Sequence, residues 1–521
     1  MKLRHIFILA VISILLIQCA KKQPVPVTPP PPIPVPVQPS PISGKFFFGL
    51  EYGVPYLAST YAETRLQTMK PSPILVHWDR IQPSQNSNYD WSIVDSTIKE
   101  YQSAGFANIQ LLITAQSDWA SRGKKDTRPK PEFEDDYRDF VYSAVERYDK
   151  DGGADMPGLL YAISQWGVER EFTEFFPGSG ADYVELLKLA YPKIKEAYPD
   201  AKVMLNALLM WDIFQGNPSD NEINRRLSNP PGGRRKDITD VPVLLDAYNY
   251  FDIIDIHSLS DYSELPATIR WLRKEMSKRG TSKEIYAGDA FPMSPLLAYG
   301  LETCKPGLFA AKEFYPVNSA TRCEASKLID SVRKKNDPNH DDAMAWLEKH
   351  VAIGITRKFV VAAAEGYLGI NIGNLEDWPI PFGAGTASNF GLMDTSYSGG
   401  DQLTAKRTPK EKRPGFYAAK MASQLQGFGS VEKLSTAQNV YAYEFNVSGE
   451  EIIVAWFDDG KFYGSGANLP SSTVSLPWKK QTVTITEIPT ERGQTQGASQ
   501  TISSKGGKIE FALGYVPVYI K

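Results

Sequence analysis

Two carboxylates stand where a short apolar run gives way to charge. Glu169 follows the run in "LLYAISQWGVEREF", Leu159 to Phe172, and Asp289 follows the run in "KEIYAGDAF". A buried strand that delivers an acid at its end is a common way to place a reactive group on a rigid support. Two carboxyl groups flanking one bond can split it: one donates a proton to the leaving oxygen, and the other attacks or activates water. Each acid also has an ordinary reading. Glu169 would then be a solvated loop glutamate beside Arg170, and Asp289 a capping or hydrogen-bonding group on a rim. Glu171 rivals Glu169 if the register slips by two.

Other runs end on side chains of related character. They deliver Glu51 and Tyr52; His77, Trp78 and Asp79; Gln116, Asp118 and Trp119; Trp166; Asn206 and Trp211; His257 with Tyr262 behind it; and Asn371, Asn374 and Trp378. Rings stack on the apolar faces of sugars, while amides and carboxylates bind hydroxyl groups. Trp78, Trp119, Trp166, Asn206, His257 and Trp378 are therefore candidate sugar contacts. The tryptophans are expected to divide between core and cleft. His257 reads as sugar-facing or carboxylate-orienting. No second His or Cys lies at ligand spacing from it, and neither HExxH nor CxxC occurs, so no metal or cofactor is expected.

The elements that would carry these residues alternate. Eight apolar runs read as strands: "KFFFGLEYG", "SPILVHW", "NIQLLITAQ", "LLYAISQW", "AKVMLNALL", "FDIIDIHSL", "KEIYAGDAF" and "YLGINIGNL". Between them lie amphipathic helix patterns such as "DWSIVDSTIKEYQSAG", "PEFEDDYRDFVYSAVERYDK", "ADYVELLKLAYPKIKEAYP" and "DAMAWLEKHVAIGITRKFVVAAAEG", the last with Gly366 as its C-cap. Continuous apolar strands alternating with helices predict an α/β fold, a parallel (β/α)8 TIM barrel over 45–428. No Gly-rich phosphate fingerprint follows a strand, which argues against an open doubly wound sheet. From 429 to 521 the pattern becomes short strands with polar turns, predicting a small all-β sandwich. That sandwich reads as a structural prop rather than a sugar-binding module. The stretch 291–341 looks like an insertion on the catalytic rim, and no internal repeat is present.

The 521 residues carry 57 basic and 60 acidic side chains, for a net charge of -3. That balance gives no nucleic-acid footprint. Residues 1–19 run from a basic "MKLRH" through an apolar core to "LIQCAKK". They resemble a bacterial lipoprotein signal with Cys19 as the acylated residue, although Gln18 stands where a small residue is usual. An ordinary secretory signal or an uncleaved anchor are the alternatives. The Pro-rich segment 20–44 favours extended polyproline II, and about twenty residues at ~3.1 Å each would reach ~60 Å. The expected place is the cell envelope, lipid-anchored and exposed at the outer membrane or cell surface. Cys304 and Cys323 remain as an even pair; export permits a disulfide, and that pairing is expected.

The barrel and sandwich together resemble the retaining (β/α)8 glycoside hydrolases of clan A, nearest the branch of β-xylosidases and α-L-iduronidases. The resemblance runs from about Phe46 to Lys521. It rests on "WDRIQPSQNSNYDW", "GSGADYVELLKLAYPKIKEAYPDAKV", "FDIIDIH", "FGLMD", "KRPGFYAAK" and "LGYVPVYIK". It implies an acid/base Glu after strand four and a nucleophile after strand seven, hence Glu169 and Asp289, acting on O-glycosidic bonds of a carbohydrate. The motifs depart from the family's pattern. Members read Q-I-G-N-E where this chain reads "QWGVE", so Val168 replaces an Asn that bonds the sugar 2-hydroxyl. Members read T-E where this chain has Gly288–Asp289. The family's Arg on strand two is absent from "PSPILVHW". Asp is one bond shorter than Glu, so its oxygen sits up to ~1.5 Å further back; a wider carboxyl gap admits a water and an inverting route. Two other readings stand beside hydrolysis: a carbohydrate-binding barrel that has lost catalysis, and a structural lipoprotein.

Overall fold

The computed structural model describes residues 46–72, 74–230, 236–293, 319–377, 389–399 and 406–521. Cys19, the Pro-rich segment, Cys304 and Trp378 lie outside them, as do the side chains of Trp211 and Cys323. Among the described residues no helix is long and apolar enough to cross a membrane.

Eight parallel strands close into a barrel. They are β1 (Phe47–Glu51), β2 (Thr68–Lys70), β3 (Asn108–Thr114), β4 (Gln165–Val168), β5 (Lys202–Leu208), β6 (Ile253–Ser258), β7 (Glu284–Ala290) and β8 (Gly369–Ile372). Each pairs with the next, and β1 pairs with β8 from Phe47↔Gly369 to Leu50↔Ile372, which removes both edges. Helices follow the strands where the periodicity predicts them: Ser92–Ala104, Glu134–Glu146, Gly180–Ala197 and His340–Glu365. Local chemistry sets their ends. Ser179 and Asp182 form a capping box, a device worth about 1 kcal/mol. Gly366 ends its helix at φ 79°, a left-handed turn that glycine adopts without Cβ strain.

Two strands lie elsewhere than expected: β4 begins only at Gln165, so just the last two residues of "LLYAISQW" belong to it, and the second strand is displaced altogether. The second barrel strand is Thr68–Lys70, between β1 and β3, whereas the apolar "SPILVHW" supplies only a two-residue accessory strand, Val76–His77, beside β3. A three-residue strand is too short to show a period, so the longer apolar run drew the assignment. The insertion before β8 is also more regular than a loop, with a helix over Ser319–Arg333.

The C-terminal region is all-β. A six-stranded antiparallel sheet runs in the order Phe428–Lys433, Val440–Val447, Glu450–Phe457, Val518–Ile520, Thr482–Glu487, Ser499–Ser503. A two-stranded sheet, Ser471–Pro477 with Lys508–Gly514, faces it. Val474, Ile509 and Leu513 of the small sheet share one core with Ala442, Ile453 and Ile485 of the large one, which makes a sandwich. The barrel docks through Arg357, on the helix before β8. It is buried, bonded to Asp458 at 2.5 Å and to the Tyr515 carbonyl at 2.7 Å, and it lies over the Tyr515 ring at 4.2 Å.

Candidate active site

The C-terminal ends of β1, β2, β4, β6 and β7 bring their acids and bases into one buried cluster. Its geometry begins with a bulge in β7. Ala287 pairs with Ile256 and Asp289 with His257, so Gly288 is the extra residue on its strand. The bulge re-aims Asp289 toward His257. Its backbone is pinned on both sides: Gly288 N–H donates to Asp255 Oδ1 at 2.7 Å, and the Gly288 carbonyl accepts from Lys70 Nζ at 2.7 Å. A Cβ at Gly288 would lie 2.4 Å from Asp255 Oδ1, so only glycine fits there.

Asp289 is buried and held ionised. Burial pushes its carboxyl upward, but His257, a hydrogen bond from Glu51, Lys70 and the Tyr52 hydroxyl together bring it below the usual carboxylate range. Tyr52 OH donates to Asp289 Oδ2 at 3.0 Å. Glu51 behaves oppositely. Its carboxyl is fully buried and neither oxygen meets an N–H or hydroxyl donor; Lys70 Nζ stays 3.7 Å from Oε2. Burial first, then the charge of Asp289, holds Glu51 well above the usual carboxylate range. Burial and Asp289 thus favour the protonated form of Glu51, the form in which a carboxyl can donate to a carboxylate. Lys70 stays charged: burial would lower it, but Glu51, Asp255, Asp289 and Glu171 outweigh that.

Glu171 and His257 complete the cluster. His257 Nδ1 bonds Glu171 Oε2 closely and lies 3.9 Å from Asp289 Oδ2. One imidazole nitrogen thus stands between two carboxylates. Burial would lower the imidazole, yet Glu171 and then Asp289 raise it. Glu171 Oε1, His257 Nε2 and Asp289 Oδ1 are buried with no hydrogen-bond partner in the protein. These three atoms around one ring suit a ligand that both donates and accepts hydrogen bonds.

Glu169 sits at the β4 end but in a different setting. It is 2% exposed, and its backbone is in the left-handed region at φ 65°. A non-glycine residue seldom adopts that conformation, and such strain gathers at functional sites. Tyr52, at the β1 end, shares it at φ 60°. Glu169 Oε1 accepts from Ala115 N–H at 2.6 Å. Burial pushes its carboxyl up to about 7, against the Ala115 bond and the charge of Arg170. Its charge is felt by Tyr137 and Tyr183, on the helices outside β4, while Asp289 is not among the charges acting on it. The acid of the β4 end that meets the Asp289 cluster is therefore Glu171.

The remaining candidates divide. Asn206 is buried at a register shift in β5, and its Nδ2 donates to the Glu169 carbonyl at 2.7 Å, which supports the turn that carries Glu169. Trp78 and Trp166 are 0% exposed and belong to the core, a correction to their reading as sugar contacts. Trp78 stacks on Phe140 and Trp166 packs on Tyr148, because both point outward to the helix layer. Trp119 is half-buried, edge-on to Trp78, with its indole N–H on the Gln82 carbonyl at 2.9 Å. Outside this cluster, oxygens of Glu146, Asp149 and Asp151 lie within 4.8 Å of one another, at the end of the helix Glu134–Glu146 and on the loop after it. Asp149 and Asp151 there accept from backbone N–H groups of the same loop.

Lys70 and Asp255 are the members that the sequence does not single out, and Glu171, named there only as a rival acid to Glu169, is the one that meets His257. Lys70 lies on the strand that the sequence hid. Asp255 lies two residues before His257 on β6, and that parity was the available signal for its inward face.

No family model matches the chain, and no curated protein is similar to it in sequence. Solved structures do match its fold. A glucosidase from Croceicoccus marinus superposes with a TM-score of 0.52 at 13% identity, over 92% of this chain and 96% of that one. A monomeric beta-xylosidase from Caulobacter crescentus CB15 gives 0.50 at 11%, over 92% and 97%. The likeness is one of fold: a (β/α)8 barrel followed by a β domain, as the alternation of strand and helix patterns leads one to expect.

Proposed function

We propose that the protein is a glycoside hydrolase acting on O-glycosidic bonds of oligo- or polysaccharides. The observation that carries this reading is the placement of two buried acids, Glu169 and Asp289, at the C-terminal ends of β4 and β7 of one closed barrel. Glu169 is pushed up to about 7 and keeps its proton near neutral pH, while Asp289 is held ionised. Environments that drive two carboxyl groups apart in this way assign one as acid and the other as nucleophile or base. Glu169 protonates the departing oxygen, and Asp289 meets the positive charge that develops at the anomeric carbon. The neutral Glu51 beside Asp289 keeps a second negative charge from that point.

The test is a panel of aryl glycosides and oligosaccharides run on wild type, Glu169→Gln and Asp289→Asn. Glu169→Gln loses ordinary glycosides but spares substrates with activated leaving groups, which need little protonation. Asp289→Asn loses both. Wild-type hydrolysis with full rate in both variants refutes the pair. Because Val168 offers no bond to a 2-hydroxyl, sugars modified there are discriminated less than a hydrogen-bonding residue would allow.

A second reading is a carbohydrate-binding barrel without turnover. It is favoured by the near-complete burial of Glu169 and the engagement of its Oε1 by Ala115. On that reading wild type and variants bind sugar alike and none hydrolyses it. We place the protein on the envelope through acylated Cys19; Cys19→Ala then moves it to the soluble fraction.

A further inference from the structure

We propose that Glu171 is a positioning residue of the active centre: through its bond to His257 Nδ1 it fixes a protonated imidazole beside Asp289. The inference rests on the hydrolase reading for its consequence, but its geometry stands alone.

The tautomer follows from the contacts. Glu171 Oε2 is an acceptor, so Nδ1 carries a proton, and that N–H lies between Glu171 and Asp289. Neutral histidine has one N–H, which here faces the two acids. The other nitrogen, Nε2, is buried without a protein partner, as is Glu171 Oε1. With two carboxylates on one side the ring keeps both protons, and Nε2–H becomes a donor for a ligand oxygen. Among the described residues the charged groups around the ring are Glu171 after β4, Asp289 on β7, Lys70 on β2 and Asp255 on β6 itself, with Glu51 and Tyr52 reaching it through Asp289, Glu264 lining a small cavity with it and Lys358 acting on Asp289. Lys70 opposes a second cation there; Glu171 and Asp289 outweigh it.

The consequence is transmitted to Asp289. A cation beside a carboxylate keeps it ionised. Removing the charge of Glu171 releases the ring's proton at lower pH, and Asp289 then loses one of the groups that hold its own carboxyl down. Glu171 does this without touching the reacting atoms. It also accounts for a second acid two residues beyond Glu169, buried where a loop glutamate would be solvated.

The experiment is a nitrogen-15 NMR titration of the histidine rings in the whole protein, which has five. His257→Gln identifies the signal. In wild type, His257 stays protonated above the ordinary histidine range. In Glu171→Gln its midpoint falls by about one pH unit or more, the scale of losing an adjacent opposite charge. Glu171→Asp, which keeps the charge, restores much of the fall and serves if the amide variant fails to fold. An unchanged midpoint in a folded Glu171→Gln, or an ordinary midpoint in wild type, overturns the proposal. Where wild type hydrolyses a glycoside, the basic limb of kcat/KM moves to lower pH in Glu171→Gln, because the ring then loses its second proton earlier, while KM changes little; a limb that stays put while KM rises also overturns it. The NMR arm needs no turnover, so inactivity of the wild type counts against the hydrolase reading and leaves this one to be judged by the titration.

Discussion

Glu169→Gln will stabilise the protein above neutral pH and leave its stability nearly unchanged in acid. The Glu169 carboxyl rises from 4.5 to about 7 because burial disfavours its charge. A raised carboxyl means that the unfolded chain releases its proton first. Below 4.5 both states are protonated and the group costs the fold nothing. As pH rises the unfolded state gains about 1.4 kcal/mol per unit, until the folded group also ionises. Above about 7 the accumulated cost levels off at ~3 kcal/mol. Glutamine removes the ionisation, and its side-chain oxygen can still accept from Ala115 N–H. Unfolding entropy of roughly 2.1 cal/mol/K per residue amounts to about 1 kcal/mol/K for this chain, so ~3 kcal/mol is a rise in Tm of ~3 °C. The assay is thermal unfolding of wild type and variant at about pH 4 and about pH 8.5. Other buried acids affect both proteins alike and cancel in the difference. A variant that melts lower at both pH values would refute the account, since Glu169 would then owe its place to favourable bonding of its charge. Such a gain in stability with loss of turnover is the expected signature of an acid kept for function rather than for the fold.

Gly288→Ala should lower the stability by about 1–3 kcal/mol, the range for forcing atoms into a packed site, because the new Cβ meets the Asp255 carboxylate; an unchanged urea midpoint would disprove the tight bulge. Trp166→Ala should cost roughly 3–5 kcal/mol of stability and leave the sugar affinity of the folded fraction intact. A variant of normal Tm with weakened binding would show that Trp166 reaches the cleft. Arg357→Ala leaves buried Asp458 without its cation, and losing one partner of such a pair costs about 3–5 kcal/mol. Limited proteolysis should then cut between barrel and sandwich at lower temperature, and resistance equal to wild type would argue against this contact as the latch.

The fold was open to reading because its signals are local. Six of the eight apolar runs contain a barrel strand, and "LLYAISQW" holds the first two residues of another, since a strand buried on both faces must be apolar throughout whatever it pairs with. Helices such as Ser92–Ala104, Glu134–Glu146 and Gly180–Ala197 show a 3.6-residue period because one side of each packs on the barrel, whereas His340–Glu365 is buried nearly all round from Val351 to Ala363. The sandwich follows from alternation, which demands only that one face be buried. Strand ends named Asp289, His257 and Glu169 for the same reason: chain order alone brings them to one mouth. What the pattern could not supply is which acid meets which base. Lys70 hides on a three-residue strand that has no period. Trp78 and Trp166 lie beside the site in sequence but pack on the helices: Trp166 faces outward because direction alternates residue by residue along β4, and Trp78 opens a short helix, Trp78–Ile81. One extra residue at Gly288 turns Asp289 to His257, and a left-handed turn at Glu169 draws that side chain to Ala115 while Glu171 reaches the imidazole. Those choices join residues 86 positions apart, and they are settled by desolvation and charge inside the closed barrel, where burial sets each proton's place only once its neighbours are assembled.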